Sequence, residues 1–461
     1  MAVGDSITAG ADFFSNYRFS LWEKLFAAGY VVEFVGTQTS PSRVGPLAHE
    51  GYGGQNTEQL AAKVPAHFAA NPADIVLLHS GHNHFVEEQP IPGIVAATEQ
   101  LIAAFRATHP RVTVLLAQVI PAGKLPKYAY LPDLNRALAD LAARLDSPAQ
   151  RVVLVDHASG FDWETDTVAD KVHPNPAGAE KMAAAWFAAL KTVLPPPARA
   201  FAPRRLTYKT VGDTALQLHV FEPPPTAPAS AISPTAADAR KRPAIVFFFG
   251  GGWTHGTPLQ WYPECDDFAR RGFVALSADY RIASAHGATP FDGVADARDA
   301  LRWIRAHAAE LGIDPAQVYA AGASAGGHLA AMTAFDSPPG DDARPDALLL
   351  WYPVLDTSEA GYGHALFADR FGEASPLHRL ATAPHPLPPT LILIGTADSA
   401  TPEETVRAFQ QRARDAGSAC EVIFFPGGRH PLYAYRDGGG PLRDATLAEA
   451  DRFLAQLREH R

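Results

Sequence analysis

Cysteine is nearly missing from this 461-residue chain: only Cys265 and Cys420 occur, far apart and without metal-ligand spacing. Their scarcity excludes a disulfide framework and a cysteine zinc site, leaving two isolated thiols. Positive charge is also short, with 39 Lys and Arg against 49 Asp and Glu and a formal net charge of -10. Without any Lys/Arg run, the clustered cations on which nucleic-acid binding rests are absent, and a neutral or acetylated polymer is the more natural partner. No uncharged apolar stretch of about 18 residues occurs, so no membrane span is expected. No Gly-x-Gly-x-x-Gly opens a helix after a strand, so no nucleotide or redox cofactor is expected either. No signal peptide is visible. The chain opens three residues before Gly4, where a strand of about five is expected, which suggests a trimmed or misplaced start.

What is present is the alternation of short apolar runs with longer helical patterns, twice. From Met1 to about Leu194 the strands expected are Met1 to Val3, Tyr30 to Val35, Asp74 to His79, Val112 to Ala117 and Arg151 to Val155. Helices are expected at Arg18 to Ala28, Thr57 to Ala69, Ile91 to Thr108, Leu131 to Leu145 and Pro176 to Val193. This is a three-layer α/β/α domain, residues 1–194. The proline-rich stretch 195–203 cannot continue a helix and reads as a semi-rigid linker. A second α/β domain, residues 204–461, opens with a hairpin about Gly212-Asp213. Its strands are expected at Ala244 to Phe249, Val274 to Ala278, Val318 to Ala321, Ala347 to Trp351, Thr390 to Ile394 and Glu421 to Phe425. Between them Pro223 to Pro243, rich in Pro, Ala and Ser, reads as a surface loop. The halves share an architecture but no visible repeat, so a fusion is expected.

Each half carries a serine followed by an acid and a histidine. A serine hydroxyl is a poor nucleophile until a histidine takes its proton and a carboxylate fixes that histidine's tautomer. In the first half Gly4-Asp5-Ser6 follows the first strand. His49-Glu50-Gly51-Tyr52-Gly53-Gly54 places small residues where backbone N–H groups can point into a site, and Gly81-His82-Asn83 offers a side-chain amide. Asp170 and His173 lie three apart in a loop before a helix opened by Pro and Gly. These blocks fall at the carboxyl ends of expected strands, where an open parallel sheet puts its ligand crevice. His79, His82 and His84 read as site-lining or solvated side chains in preference to a metal cluster.

In the second half Gly322-Ala323-Ser324-Ala325-Gly326 fits a sharp strand-to-helix elbow. Phe249-Gly250-Gly251-Gly252-Trp253 supplies flexible backbone amides upstream, and Asp398 and His430 each follow a strand. His328, one turn past the serine, reads as a packed helix residue. Trp253, Trp261 and Tyr262 either stack on sugar rings or close the site, and the sequence does not choose.

The first half resembles the GDSL/SGNH hydrolase superfamily, specifically carbohydrate esterase family 3, through Gly4 to Gly10, Tyr17-Arg18, Phe34-Val35-Gly36, His49 to Tyr52, Gly54, Gly81 with Asn83, and Asp170 to Gly178. The resemblance implies a flavodoxin-like fold. It also implies Ser6 as nucleophile, His173 as base, Asp170 as its orienting acid, and an oxyanion hole from the Ser6 and Gly54 amides with the Asn83 side chain. One departure is His84, where the family usually has Asp.

The second half resembles the α/β-hydrolase superfamily, in the acetyl-esterase/lipase group related to hormone-sensitive lipase. The residues are Ala278 to Arg281, Gly312 to Pro315, the elbow, and Gly395 to Asp398. This implies Ser324 as nucleophile, Asp398 as acid, His430 as base, and the Gly251, Gly252 and Ala325 amides as oxyanion donors. Phe249 stands where that group has His, and Arg429 where Gly is common before the base. Together the resemblances imply a two-domain serine ester hydrolase acting on an acetylated plant polysaccharide such as acetylxylan, in a secreted or periplasmic setting. Rival readings are a broad short-chain or lipid esterase, a peptidase, and one active half joined to a silent carbohydrate-binding half.

Overall fold

The computed structural model describes residues 1–11, 14, 16–197, 199–224, 241–335, 337, 340–433 and 440–459. The chain divides into two compact units, Met1–Ala200 and Phe201–Arg461. Most of the stretch expected as a surface loop, residues 225–240, lies outside the described residues, as does position 198 of the expected linker.

In the first unit the strands are β1 (Ala2–Gly4), β2 (Gln38–Ser40), β3 (Leu47–Gly51), β4 (Ile75–His79), β5 (Thr113–Gln118) and β6 (Val152–Asp156), in the spatial order β2-β3-β1-β4-β5-β6. All pairings are parallel except β2 with β3. The period of two along a strand sends alternate side chains to opposite faces. Val76, Leu78, Val114 and Leu116 pack into one core with Leu60, Val64, Leu101 and Leu134, whereas Leu77, Leu115 and Ala117 pack into another with Leu21, Leu25, Met182 and Trp186. The helices Thr57–Ala70, Ile91–Thr108 and Leu131–Leu145 cover the first face, and Arg18–Ala27 and Pro176–Val193 the second. Three layers therefore follow from the apolar alternation itself.

Tyr30 to Val35 does not form the strand its β-branched residues suggest. The place beside β1 is taken by β3, which pairs Val3 with Glu50 and Gly4 with Gly51. The displaced run instead lines a cavity of about 460 Å³ with Met1, Leu25, Ile75 and Leu190, and Val31 is left 71% exposed. Burial against the sheet edge decided the pairing here, overriding strand propensity.

The second unit contains β7 (Arg204–Val211), β8 (Thr214–Phe221), β9 (Arg242–Phe248), β10 (Val274–Ala278), β11 (Ile313–Ala323), β12 (Ala347–Trp351), β13 (Thr390–Gly395) and β14 (Cys420–Phe425). They form one sheet in the order β14-β13-β12-β11-β9-β10-β8-β7. The hairpin β7–β8 turns at Gly212-Asp213, with Gly212 at φ +56, and supplies the antiparallel edge. The rest is parallel, and its central strands are buried on both faces, as their continuous apolar runs require. The helix Ala325–Phe335 is buried along its whole length, because its Ala and Gly residues present little volume between β11 and the layer above. Among the described residues no helix is long and apolar enough to cross a membrane.

Candidate active sites

In the first unit, Ser6, Gly54 and Asn83 all follow aligned strand ends. Gly4 is in register with Gly51 on one side and His79 on the other. The Tyr52 amide donates to Gly4 O at 2.9 Å, carrying the chain from β3 over the start of the Ser6–Ala9 helix. Ser6 Oγ lies 2.8 Å from His173 Nε2, and His173 Nδ1 lies 2.5 Å from Asp170 Oδ2. Asp170 Oδ1 accepts the Val172 and His173 amides at 2.9 and 3.0 Å, so the acid and the imidazole are braced by one short turn. Burial opposes ionisation of Asp170, but the His173 ring and these amides outweigh it and hold the carboxyl below its ordinary range. Asn175 caps the following helix through the Gly178 amide and ends the loop.

Asn83 sits at φ +66 and its Nδ2 donates to Gln55 O at 3.0 Å, one residue beyond Gly54, itself at φ +76. The blocks bearing two of the three expected oxyanion donors, Gly54 and Asn83, are thereby tied together. His84, the departure noted in the sequence, is buried with Nδ1 3.1 Å from Glu88 and Nε2 3.0 Å from Glu58, so two carboxylates anchor the residue after Asn83. Phe14 stacks on His173 with ring centroids 4.1 Å apart and planes at 21°. No motif marked Phe14: it falls in the gap between Gly10 and Tyr17, where only its aromatic character could have been a signal.

The second unit builds the same relay from different elements. Ser324 follows β11 at φ +53, a left-handed conformation that a serine adopts only when its surroundings enforce it. A Cβ on Gly322 would land on the Gly326 backbone, and one on Gly326 would land on the carbonyl oxygens of Phe248 and Phe249; hence the small residues of the elbow. Ser324 Oγ lies 2.9 Å from His430 Nε2, and His430 Nδ1 lies 2.8 Å from Asp398 Oδ2. Asp398 Oδ1 accepts the Ala400 and Thr401 amides at 2.8 and 2.9 Å, the same division of labour as in Asp170. The Ala397 amide donates to Gly428 O, joining the acid's loop to the histidine's. Tyr352, at φ +36, meets the His430 ring edge-on at 5.1 Å. Arg429 is exposed.

Upstream, Gly251 and Gly252 adopt φ +130 and +59, conformations open to glycine, and the turn is closed by the Thr254 and His255 amides on Gly251 O. The Ala325 amide begins the helix after Ser324. Trp253, Trp261 and Tyr262 are buried, with the Trp261 indole donating to Phe248 O and the Trp253 indole to His328 Nδ1, so all three close the interior. His328 Nε2 donates to Ala374 O at 2.6 Å, and burial lowers its pKa to about 4, which keeps it a neutral packing residue.

A further Ser/His/Asp group, Ser375, His378 and Asp356, is no relay. The serine and the acid both face His378 Nδ1, at 2.8 and 3.5 Å, and one nitrogen cannot both accept from a hydroxyl and donate to a carboxylate. Among the described residues no group of three or more His, Cys, Asp or Glu is placed to hold a metal ion.

Residues 2–181 match the GDSL-like Lipase/Acylhydrolase family, and residues 245–434 match the alpha/beta hydrolase fold. Among curated proteins the chain is similar to Esterase LipC of Mycobacterium tuberculosis, 32% identical over 216 residues that cover 41% of this chain and 52% of that protein. It is also similar to an acetylxylan esterase of Xylanibacter ruminicola, 27% identical over 198 residues covering 41% and 40%. The chain spans about half the length of the curated relatives it matches. Among solved structures, a thermophilic esterase of Thermogutta terrifontis is 38% identical, covering 55% of this chain and 92% of that chain at a TM-score of 0.49.

Proposed function

Because the chain joins a GDSL-like lipase/acylhydrolase domain to an α/β-hydrolase domain, we propose that it is a serine carboxylic ester hydrolase with two independent acyl-enzyme sites. The observation that carries this reading is the pair of completed relays, each with hydroxyl to imidazole and imidazole to carboxylate at hydrogen-bond distance. In the first site His173 takes the Ser6 proton as the hydroxyl attacks the ester carbonyl, and Asp170 holds the imidazole and stabilises the imidazolium. The Ser6 and Gly54 amides and the Asn83 amide receive the charge on the carbonyl oxygen. In the second site His430, Asp398 and the amides of Gly251, Gly252 and Ala325 serve Ser324 in the same roles. Each preorganised donor is worth about a hundredfold or more in rate. The imidazolium then protonates the leaving alcohol, and water, activated by the same histidine, releases the acid.

The substrates proposed are acetyl esters of plant polysaccharides such as acetylxylan. The resemblance of the first domain to carbohydrate esterase family 3 supports this, as does similarity to a protein named as an acetylxylan esterase. A broad short-chain esterase is the second reading, favoured by similarity to curated proteins named only as esterases. Product analysis on acetylated xylo-oligosaccharides, beside simple alkyl esters, separates them. Ser6→Ala and Ser324→Ala should each remove a distinct set of released acetates. Turnover confined to alkyl esters would favour the second reading, and total loss from either single substitution would sink the two-site proposal.

A further inference from the structure

Behind Ser6 lies a pair of groups that the relay does not use. Asp5 and His82 are both sealed from solvent, at 0% and 2% exposure. Asp5 Oδ1 accepts the Ile7 amide at 2.9 Å and caps the helix that begins at Ser6, but Oδ2 has no hydrogen-bond partner among the described residues. His82 Nε2 lies 3.1 Å from Ile120 O. A carbonyl only accepts, so Nε2 carries the hydrogen. Nδ1, likewise without a hydrogen-bond partner among the described residues, faces Asp5 Oδ2 at 3.9 Å.

In a neutral ring so oriented Nδ1 is a lone pair, and an ionised carboxylate offers only lone pairs. Two electron-rich atoms would then be shut together away from water, an arrangement that burial penalises heavily. One proton on the Asp5–His82 axis removes the conflict. Taking Ser6 as the nucleophile, as the proposed function has it, we infer that Asp5 is a positioning residue that works as the uncharged acid, its hydroxyl directed at His82 Nδ1.

The surroundings favour the carboxyl as the proton's seat. His82 is buried beside the His79 ring, at 5.9 Å, and these two influences lower it to about 3. Burial pushes Asp5 up to about 7, despite the opposing backbone donor at Ile7. The other groups around the pair are the Tyr17 and Tyr130 phenols, both of which sense the Asp5 charge, and His173 and Lys127, which act on His82. Arg18 is turned to the carbonyls of Thr8 and Ala9. None of these offers Asp5 Oδ2 a donor.

The consequence is specific to the chemistry of the site. Once Asp5 ionises, a negative charge appears one residue from Ser6, and the oxyanion of the transition state forms nearby. Like charges in a dry site raise the barrier, so the Ser6 reaction should slow on the alkaline side of neutrality.

Asp5→Asn tests this as a fixed copy of the uncharged acid: its Oδ1 can still accept from Ile7, and its Nδ2 can donate to His82. In a Ser324→Ala background, kcat for acetyl-ester hydrolysis should fall about tenfold or more across the alkaline limb when Asp5 is present and stay level in the Asp5→Asn variant. A folded Asp5→Asn protein that is inactive, or that keeps the alkaline limb, overturns the inference. A second readout does not depend on turnover: the infrared carbonyl stretch of a buried protonated carboxyl should be present near neutrality and vanish in Asp5→Asn, and its absence from the parent would also overturn it. Fluorophosphonate labelling of Ser6 in the Ser324→Ala protein keeps the two questions apart, because failure to label refutes the nucleophile assignment before Asp5 is reached.

Discussion

Replacing either relay aspartate by asparagine should disable its histidine by trapping the wrong tautomer. In both sites Oδ1 accepts two backbone amides, from Val172 and His173 in one and from Ala400 and Thr401 in the other. An asparagine keeps its carbonyl oxygen there, since its NH2 group would confront two donors. Its Nδ2 then faces the imidazole Nδ1 as a donor, so the ring must accept at Nδ1 and carry its hydrogen on Nε2. The serine, 2.8 or 2.9 Å from Nε2, would meet an N–H where it needs a lone pair. A loss of about 10⁴ in kcat is expected, or about 5.5 kcal/mol at about 1.36 kcal/mol per decade. The loss should be greater for Asp398→Asn than for Asp170→Asn, because the Asp398 side chain is 0% exposed and that of Asp170 is 26% exposed, where water can pair with a misplaced nitrogen. The assay is hydrolysis of a chromogenic acetate ester, with Asp170→Asn made in the Ser324→Ala protein and Asp398→Asn in the Ser6→Ala protein. Losses under about tenfold in folded variants would refute the tautomer argument.

Other outcomes follow from the same geometry. Gly326→Ala should abolish Ser324 labelling and cost several kcal/mol, because the new methyl collides with the carbonyls of Phe248 and Phe249; a stable, labelled variant would contradict the elbow geometry. Phe14→Ala should lower kcat at the Ser6 site by about tenfold with little change in KM, as His173 loses the ring stacked on it, whereas a pure KM effect would move Phe14 to substrate binding. Acid should unfold the first unit steeply. His79, His82 and His157 are lowered by burial from 6.5 to about 3, with neighbouring imidazoles adding for His79 and His82, so below pH 6.5 the unfolded chain takes up three protons that the folded one refuses. Asp5, raised to about 7, offsets one of these, while His49, lowered to about 4 by burial and by Arg18, adds one, so that about 4 kcal/mol is lost per pH unit as pH falls from about 6 to about 5. Denaturant midpoints for the transition that also removes Ser6 labelling should track this, and a flat profile would exclude it.

The helices of the first unit were legible because their apolar period is long, and Thr57–Ala70, Ile91–Thr108, Leu131–Leu145 and Pro176–Val193 fall where it placed them. Tyr30 to Val35 misled because strand propensity says nothing of which segment pairs beside β1, and Leu47–Gly51, with a His, a Glu and a Gly, looks nothing like a strand until that pairing is seen. The members of the two Ser/His/Asp groups were readable because such a relay needs fixed residue types after strand ends, and the structure brings each group within hydrogen-bond distance. Phe14, Tyr352 and the Glu58 side of the clasp on His84 were not, since each acts through contact between residues distant in the chain. Trp253, Trp261 and Tyr262 show the same limit from the other side: an aromatic run reads alike whether it greets a sugar or fills a core.

Because Asp170 and His173 share one turn, held by its own amides, the proposed acid and base of the first unit form a cassette. A thermal fluctuation that opens this turn withdraws both partners from Ser6 at once, so partial states with a base but no orienting acid should be scarce. The second unit draws the pair from separate crossings, 32 residues apart. Once the Ala397 hydrogen bond to Gly428 O that joins their loops breaks, it can lose them one at a time, and heat inactivation there should pass through a feebly active species that the first unit skips.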